Sequence, residues 1–358
     1  MLEEIVEPLI EWYRRDHRIL PWRERRDPYE IWVSEIMLQQ TRVEAVKPFF
    51  ERFTRALPDI RALAQCGEEE LLKLWEGLGY YNRVRNMQKA AKQVMENFGG
   101  ELPADYEKLR SLPGIGNYTA GAIASIAYEI PVPAVDGNVL RVISRLTEDD
   151  SDIMKQSTKT RVEKDLLAVM PEGRSGEFNQ ALMELGAMIC VPNGTAKCGE
   201  CPLAKFCLAR EHGTVMELPV KKKAKERRLE DRTVLIILDG EHLAIRRRPA
   251  RGLLAGMFEF PNYDGHLSRE EVLELLKGYG LMPLQIRELE NARHIFSHVE
   301  WKMCGYAVRI AALEENRKQD LIFVDVDSAQ ERYSMPAAFA AYARYMNLRL
   351  GQEKYEKR

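Results

Sequence analysis

The sequence predicts two domains, an all-α domain followed by a mixed α+β domain, and three observations carry that expectation. Apolar residues recur at helical spacing through residue 212, with short Pro and Gly breaks between the runs. Residues 213–231 are charged and weakly apolar, with a basic run from Lys221 to Arg228, and read as a linker or as a contact for phosphate. Over 232–350 short apolar stretches alternate with turn residues, which is the texture of strands.

In the first domain the spacing predicts helices over 29–40, 42–53, 68–76, 82–97, 119–128, 138–146, 158–169 and 177–190. An amphipathic helix precedes them at the N-terminus, with charges too early for a signal peptide. In the second domain the runs 233–238 and 242–247 flank Asp239-Gly240, a hairpin-turn signal. A helix is expected over 269–279, and further strands over 298–310 and 321–326.

The composition, 45% apolar and 30% charged over 358 residues, supports sizeable cores. A formal net charge of −2 argues against a wholesale polyanion binder, so a nucleic-acid surface must be local. No apolar run approaches the ~18 residues of a membrane span. The expected setting is cytoplasmic, where clustered cysteines serve metal better than disulfides.

Four of six cysteines fall within 18 positions: Cys190, Cys198, Cys201 and Cys207, spaced C-x7-C-x2-C-x5-C. Four thiolates suit an iron–sulfur cluster or structural zinc. Zinc modules usually use two close cysteine pairs, and only one is present. Lys197, Lys205 and Arg210 stand nearby as a small basic surface, while Cys66 and Cys304 read as buried fillers.

The run Leu112-Pro113-Gly114-Ile115-Gly116-Asn117-Tyr118-Thr119 joins two expected helices. Its glycines offer backbone angles closed to other residues and an approach for phosphate to the following helix N-terminus. A plain connection between helices fits equally. Asp136 lies twenty residues beyond Gly116, ahead of a helical run, where an N-cap is the plain reading. Glu35 sits on an apolar helical face with Ile31, Trp32 and Leu38. Such a carboxyl is costly unless paired with an arginine or functional, and burial would raise its pKa into the range of a general acid.

The hairpin, the downstream Asp136 and the four-cysteine loop, in that order, resemble the helix-hairpin-helix DNA glycosylases of the endonuclease III type. The resemblance implies an all-α glycosylase domain over 1–212, with the hairpin motif at about 108–122 and one [4Fe–4S] cluster per chain on the loop 190–207. That family usually has six residues in the first cysteine gap; this chain has seven. Leu20-Pro21-Trp22-Arg23, Trp32-Val33-Ser34-Glu35, Met37-Leu38-Gln39-Gln40-Thr41 and Gly77-Leu78-Gly79-Tyr80-Tyr81 look like the MutY-type adenine DNA glycosylases, strongly over 8–212.

This resemblance implies a hydrolase that cuts the N-glycosidic bond of adenine mispaired with 8-oxoguanine or guanine in double-stranded DNA, in base excision repair. It further implies a monomer acting at the nucleoid. Glu35 would be the general acid, Asp136 the stabiliser of the cationic sugar, and Tyr118 and Asn138 their neighbours in the pocket. Trp22, Arg23, Leu38, Val43 and Gln180 would hold the extruded adenine. Leu112, Gly114, Gly116, Tyr118 and Thr119 would bind the DNA backbone. Gln40, Thr41, Leu78 and Tyr80 would meet the opposite base. Ordinary core packing is an equal reading for Leu38, Val43 and Leu78. Lyase relatives carry a Schiff-base lysine where this chain has Tyr118, so hydrolysis by water is expected.

The region 232–350 resembles the Nudix-like domain of the same proteins. Its helix lacks the paired glutamates of the nucleotide-hydrolase box, so no nucleotide hydrolysis is expected. Phe296-Ser297-His298 matches the loop that reads 8-oxoguanine in that family, with an exposed turn as the plain alternative. Tyr118 and this loop weigh against a glycosylase-lyase for oxidised pyrimidines, and Glu35 with Asp136 weighs against a non-catalytic DNA-binding protein.

Overall fold

The computed structural model describes residues 2–222, 226–311 and 320–350. Residues 223–225 of the expected linker lie outside the described residues. The chain divides into two compact units, residues 1–65 with 82–224, and residues 66–81 with 225–358.

The first unit is helical: α1 (Val6–Asp16), α2 (Pro28–Leu38), α3 (Val43–Ala56) and α4 (Ile60–Gln65), then, beyond α5 (Glu68–Leu74) of the second unit, α6 (Asn82–Asn97), α7 (Tyr106–Arg110), α8 (Asn117–Tyr128), α9 (Gly137–Thr147), α10 (Gln156–Leu167), α11 (Ser175–Met188) and α12 (Leu208–Glu211). In α1, Val6, Leu9, Ile10 and Tyr13 are buried, the i, i+3, i+4, i+7 stripe of a surface helix. In α2, Asp27 caps by accepting from the amides of Tyr29 and Glu30, and Pro28 holds the first helical position. That helix buries Tyr29 and every residue from Ile31 to Met37, so it runs through the core rather than across its surface.

α2 packs on α3 and α8, and α11 packs on α1, α8 and α9. Leu9, Val139, Val142, Phe178, Leu182 and Leu185 form one fully buried core among α1, α9 and α11. Gly186 lets α11 come close to α9: a Cβ there would stand 2.7 Å from the Asn138 Cβ. The short helices α4, α7 and α12 have too few turns to show periodicity, and the spacing did not reveal them.

In the second unit β1 (Arg228–Asp239), β2 (His242–Arg247), β3 (Phe258–Glu259), β4 (Asn262–Asp264), β5 (Pro283–Ile295), β6 (Val299–Ile310) and β7 (Ile322–Asp325) form one sheet. Its order is β3-β2-β1-β6-β5, with β4 on β1 and β7 on β2. β1 and β6 run parallel, and the other pairs are antiparallel. Both faces are apolar. Val234 and Ile236 join Trp301, Phe339 and Tyr342 on one side, and Leu235 and Ile237 join Val272 and Leu276 of α13 (Arg269–Gly278) on the other. α14 (Val326–Arg332) and α15 (Ala340–Ala343) follow the sheet in the chain.

Several expectations shift. β1 starts at Arg228, inside the expected linker. The last strand stops at Asp325, because that side chain accepts from the Ser328 amide and starts α14. β5 was not anticipated; it is an exposed edge strand carrying Gln285, Arg287, Glu288 and Glu290, so no apolar alternation marks it. Residues 66–81, assigned by position to the first domain, belong to the second unit. There Lys73 donates to the carbonyls of Gln330 (2.6 Å) and Tyr333 (2.8 Å), and Glu76 accepts from the Met335 amide (2.9 Å). Among the described residues no helix is long and apolar enough to cross a membrane.

Candidate active site and cysteine loop

One cavity of about 710 Å³ in the first unit gathers residues from distant parts of the chain. Trp22 and Arg23 come from a short 3-10 turn, Glu35 and Leu38 from α2, and Gln40, Thr41 and Val43 from the turn into α3. Tyr118 comes from the first turn of α8, Asp136 and Asn138 from the start of α9, and Gln180 from α11. Leu38 and Val43 are half-buried and line this space, so neither is interior core packing.

Glu35 is buried and, among the described residues, has no ion pair; the arginine partner considered from the sequence is not there. The Tyr118 hydroxyl donates to its Oε2 at 2.5 Å, with the Met183 sulfur 3.2 Å from the same hydroxyl. Burial pushes the Glu35 carboxyl up to about 7; the Tyr118 hydrogen bond opposes that shift, and the Asp136 charge adds to it. Burial and the Glu35 charge likewise raise the Tyr118 phenol well above its ordinary value, so it remains a donor.

Asp136 is the N-cap of α9. It accepts from the Val139 amide and from Asn138 Nδ2, each at 2.7 Å. Burial still raises its pKa against those hydrogen bonds. Asn138 in turn accepts from Arg141 Nη2 at 2.9 Å, and Arg141 donates to the carbonyls of Gly186 (2.6 Å) and Cys190 (2.8 Å).

Glu184 is a site residue that the sequence did not point to. Its side chain is fully buried on the cavity wall, where Arg18 (2.7 Å) and Arg23 (2.8 Å) hold it. Burial works against ionisation, yet the Arg18 hydrogen bond and the Arg23 charge bring this carboxyl down to about 2. The signal was its spacing: Glu184 lies one turn beyond Gln180 on α11. Arg23 gives Nη2 to Glu184 and still lines the cavity.

In the hairpin between α7 and α8, Ile115 donates to the Leu112 carbonyl at 3.1 Å and closes the turn. Leu112 and Thr119 are buried supports. Gly114 takes a φ of +79°, which favours glycine. Gly116 does not: its backbone is extended, at φ −93° and ψ −178°, and nothing in the protein would meet a Cβ there. Gly116 is exposed and stands at the N-cap of α8, with no side-chain cap on the amides that follow.

Cys190, Cys198, Cys201 and Cys207 line one small cavity with Arg145 and Arg210. Burial, helped by Cys190, Cys207 and Cys198, pushes the Cys201 thiol up to about 12. Four neighbouring thiols can ionise together only beside positive charge. Among the described residues no His, Cys, Asp or Glu group is gathered as around a single metal ion. Cys66 and Cys304, expected to be buried, are half-buried.

In the second unit, Ser297 and His298 form the exposed two-residue tip of the β5–β6 hairpin, closed by Phe296 donating to the Val299 carbonyl at 2.8 Å. Phe296 packs edge-on against Trp301 (5.0 Å) and His294 (4.6 Å). The Ser297 hydroxyl donates to the Tyr80 hydroxyl at 3.0 Å. Tyr80 is half exposed, whereas Leu78 is buried, as the core reading has it.

Comparison with known proteins finds a family for each part of the chain, and the first match runs through residues 66–81. Residues 33–172 match the HhH-GPD superfamily of base excision DNA repair proteins, and residues 233–345 match the NUDIX domain. The chain is 33% identical to an adenine DNA glycosylase of Mus musculus, over 84% of this chain and 70% of the relative. It is 31% identical to an adenine DNA glycosylase of Buchnera aphidicola, over 90% of this chain and 93% of the relative. The solved structure of a thermostable thymine-DNA glycosylase superposes on 59% of this chain and 97% of its own, with a TM-score of 0.52 and 28% identity.

Proposed function

The chain belongs to the adenine DNA glycosylases of base excision repair, and on that premise we propose that it removes adenine lying opposite 8-oxoguanine or guanine in duplex DNA by hydrolysis alone. The observation that carries this reading is the pair of carboxyl groups in one cavity, with Glu35 buried against Tyr118 and held near a pKa of about 7.

Adenine within a duplex must first leave the stack. Glu35 then gives its proton to N7 of the extruded base, the C1′–N9 bond breaks, and its electron pair departs with adenine. The sugar takes oxocarbenium character beside Asp136. Glu35, now a carboxylate, removes a proton from the attacking water, whose oxygen adds to C1′ and leaves an abasic site. Asn138 fixes Asp136, and Tyr118 fixes Glu35. Tyr118 has no amine, so no Schiff base forms at that position. Trp22, Arg23, Leu38, Val43 and Gln180 contact the base, and Glu184 holds Arg23 in place.

The hairpin at 112–119 takes a DNA phosphate on the uncapped amides after Gly116. Gln40 and Thr41 are assigned to the opposite base, and so are Tyr80 and the tip Ser297-His298, which are joined to each other by a hydrogen bond. A Ser hydroxyl can accept from N7–H of 8-oxoguanine, a donor that guanine lacks. Cys190, Cys198, Cys201 and Cys207 would hold a [4Fe–4S] cluster, which supplies, when bound, an anchor for the loop and a one-electron couple. The protein works as a monomer at the nucleoid.

The test is incubation with duplexes carrying adenine opposite 8-oxoguanine, or thymine glycol, followed by alkali. Strand breaks are expected only in the first duplex and only after alkali. Breaks without alkali, or in the thymine glycol duplex, would overturn the reading.

A further inference from the structure

Arg145 is buried in α9, at 3% exposure, and has no carboxylate partner among the described residues. All its contacts go to uncharged acceptors or to sulfur. Nε donates to the Leu218 carbonyl (3.0 Å), and Nη1 to the Val191 carbonyl (3.1 Å) and the Cys190 Sγ (3.2 Å). Its own backbone carbonyl lies 3.4 Å from the Cys207 sulfur. A guanidinium cannot shed its proton in a protein, so burying it without an anion costs several kcal/mol. Arg141 is equally buried and reaches the same cysteine, but its hydrogen bonds end on carbonyls and on Asn138. Arg145 is thus the buried cation whose hydrogen bond ends on a ligand-type sulfur.

From this geometry we propose that Arg145 is the built-in counter-ion of the cluster held by the four cysteines, and that its hydrogen bond to Cys190 sets the cluster's reduction potential. The proposal rests on the [4Fe–4S] reading given above. Each one-electron reduction adds negative charge spread over the ligand sulfurs. A fixed cation donating to one of them stabilises the reduced form more than the oxidised form, and so raises the potential. Removing that donor lowers it. Arg145 touches neither the adenine cavity nor a residue assigned to the chemistry, so its role is to tune and position.

The experiment is electrochemistry on the purified, iron-loaded full chain and on Arg145→Gln and Arg145→Lys, with iron content and far-UV circular dichroism measured on each sample. In Arg145→Gln the potential is expected to move to more negative values by at least tenfold in the reduced-to-oxidised ratio, about 59 mV for one electron. Arg145→Lys keeps the charge but loses the fork, and should fall between the two. If Arg145→Gln does not hold its cluster, Arg145→Lys alone decides the matter, by a negative shift at full iron content. Unchanged potentials in iron-loaded variants would overturn the proposal and leave the cluster reading intact. Wild-type protein that is colourless and free of iron would overturn both.

Discussion

Two carboxyl groups are buried on the wall of one cavity and sit at opposite ends of the carboxylate range. Glu184 is held by two arginines and lies at about 2; Glu35 faces a phenol and lies at about 7. Burial is common to both, so the partner decides. A guanidinium favours the charged form far more than a neutral hydroxyl does. The cavity therefore holds one fixed anion that organises Arg18 and Arg23, and one carboxyl whose proton is available near neutral pH.

The largest effect expected from this contrast is on catalysis. Glu35→Gln keeps the shape and loses the transferable proton, so single-turnover excision should fall by about 10²–10⁴-fold while duplex binding persists. Near-normal excision would remove Glu35 from the acid's role. Glu184→Gln should act on the other side of the comparison. It leaves the guanidiniums of Arg18 and Arg23 against a neutral amide, and thermal or urea unfolding should show a loss of about 3 kcal/mol. A stability equal to the wild type would mean that the arginines find other partners.

The two groups also bend the pH dependence of stability in opposite senses. Glu35 titrates at about 7 when folded and near 4.3 when unfolded. Between those values the folded protein binds the extra proton, so its contribution is complete below ~4 and is lost as pH rises through 7. Glu184 titrates at about 2 when folded. Its contribution is present above ~4 and is lost as pH falls toward 2. Urea unfolding of the wild type and Glu35→Gln at pH 5 and pH 8 should show the variant gaining relative stability at pH 8. No difference between the two pH values would mean that Glu35 is not held protonated.

How much of this the chain disclosed follows from which signals are local. α2, the four close cysteines and the Asp239-Gly240 hairpin are written in adjacent residues and could be read directly. Glu35 was legible because a carboxyl stands out on an apolar face. Glu184 was not, because its partners Arg18 and Arg23 lie more than 160 positions away. β5 went unread because an exposed edge strand needs no apolar alternation. The membership of 66–81 in the second unit was hidden for the same reason as Glu184: Lys73 and Glu76 find their partners near residue 330.

The smallest effect is expected at the hairpin tip. Its hydroxyl already has a neutral partner in Tyr80, so Ser297→Ala loses one hydrogen bond to the lesion, worth roughly 0.5–1.5 kcal/mol net. The ratio of excision efficiencies opposite 8-oxoguanine and guanine should fall only several-fold. An unchanged ratio would move lesion reading to Gln40 and Thr41.

The central claim is that Glu35 titrates at about 7, so that it shares its proton with solvent at neutral pH before any DNA arrives. The most direct measurement is a ¹³C NMR titration of the glutamate side-chain carboxyls in the free protein, with the Glu35 resonance assigned by its absence in Glu35→Gln. A midpoint near 7 is predicted. A midpoint near the ordinary glutamate value of about 4.3 would contradict the account.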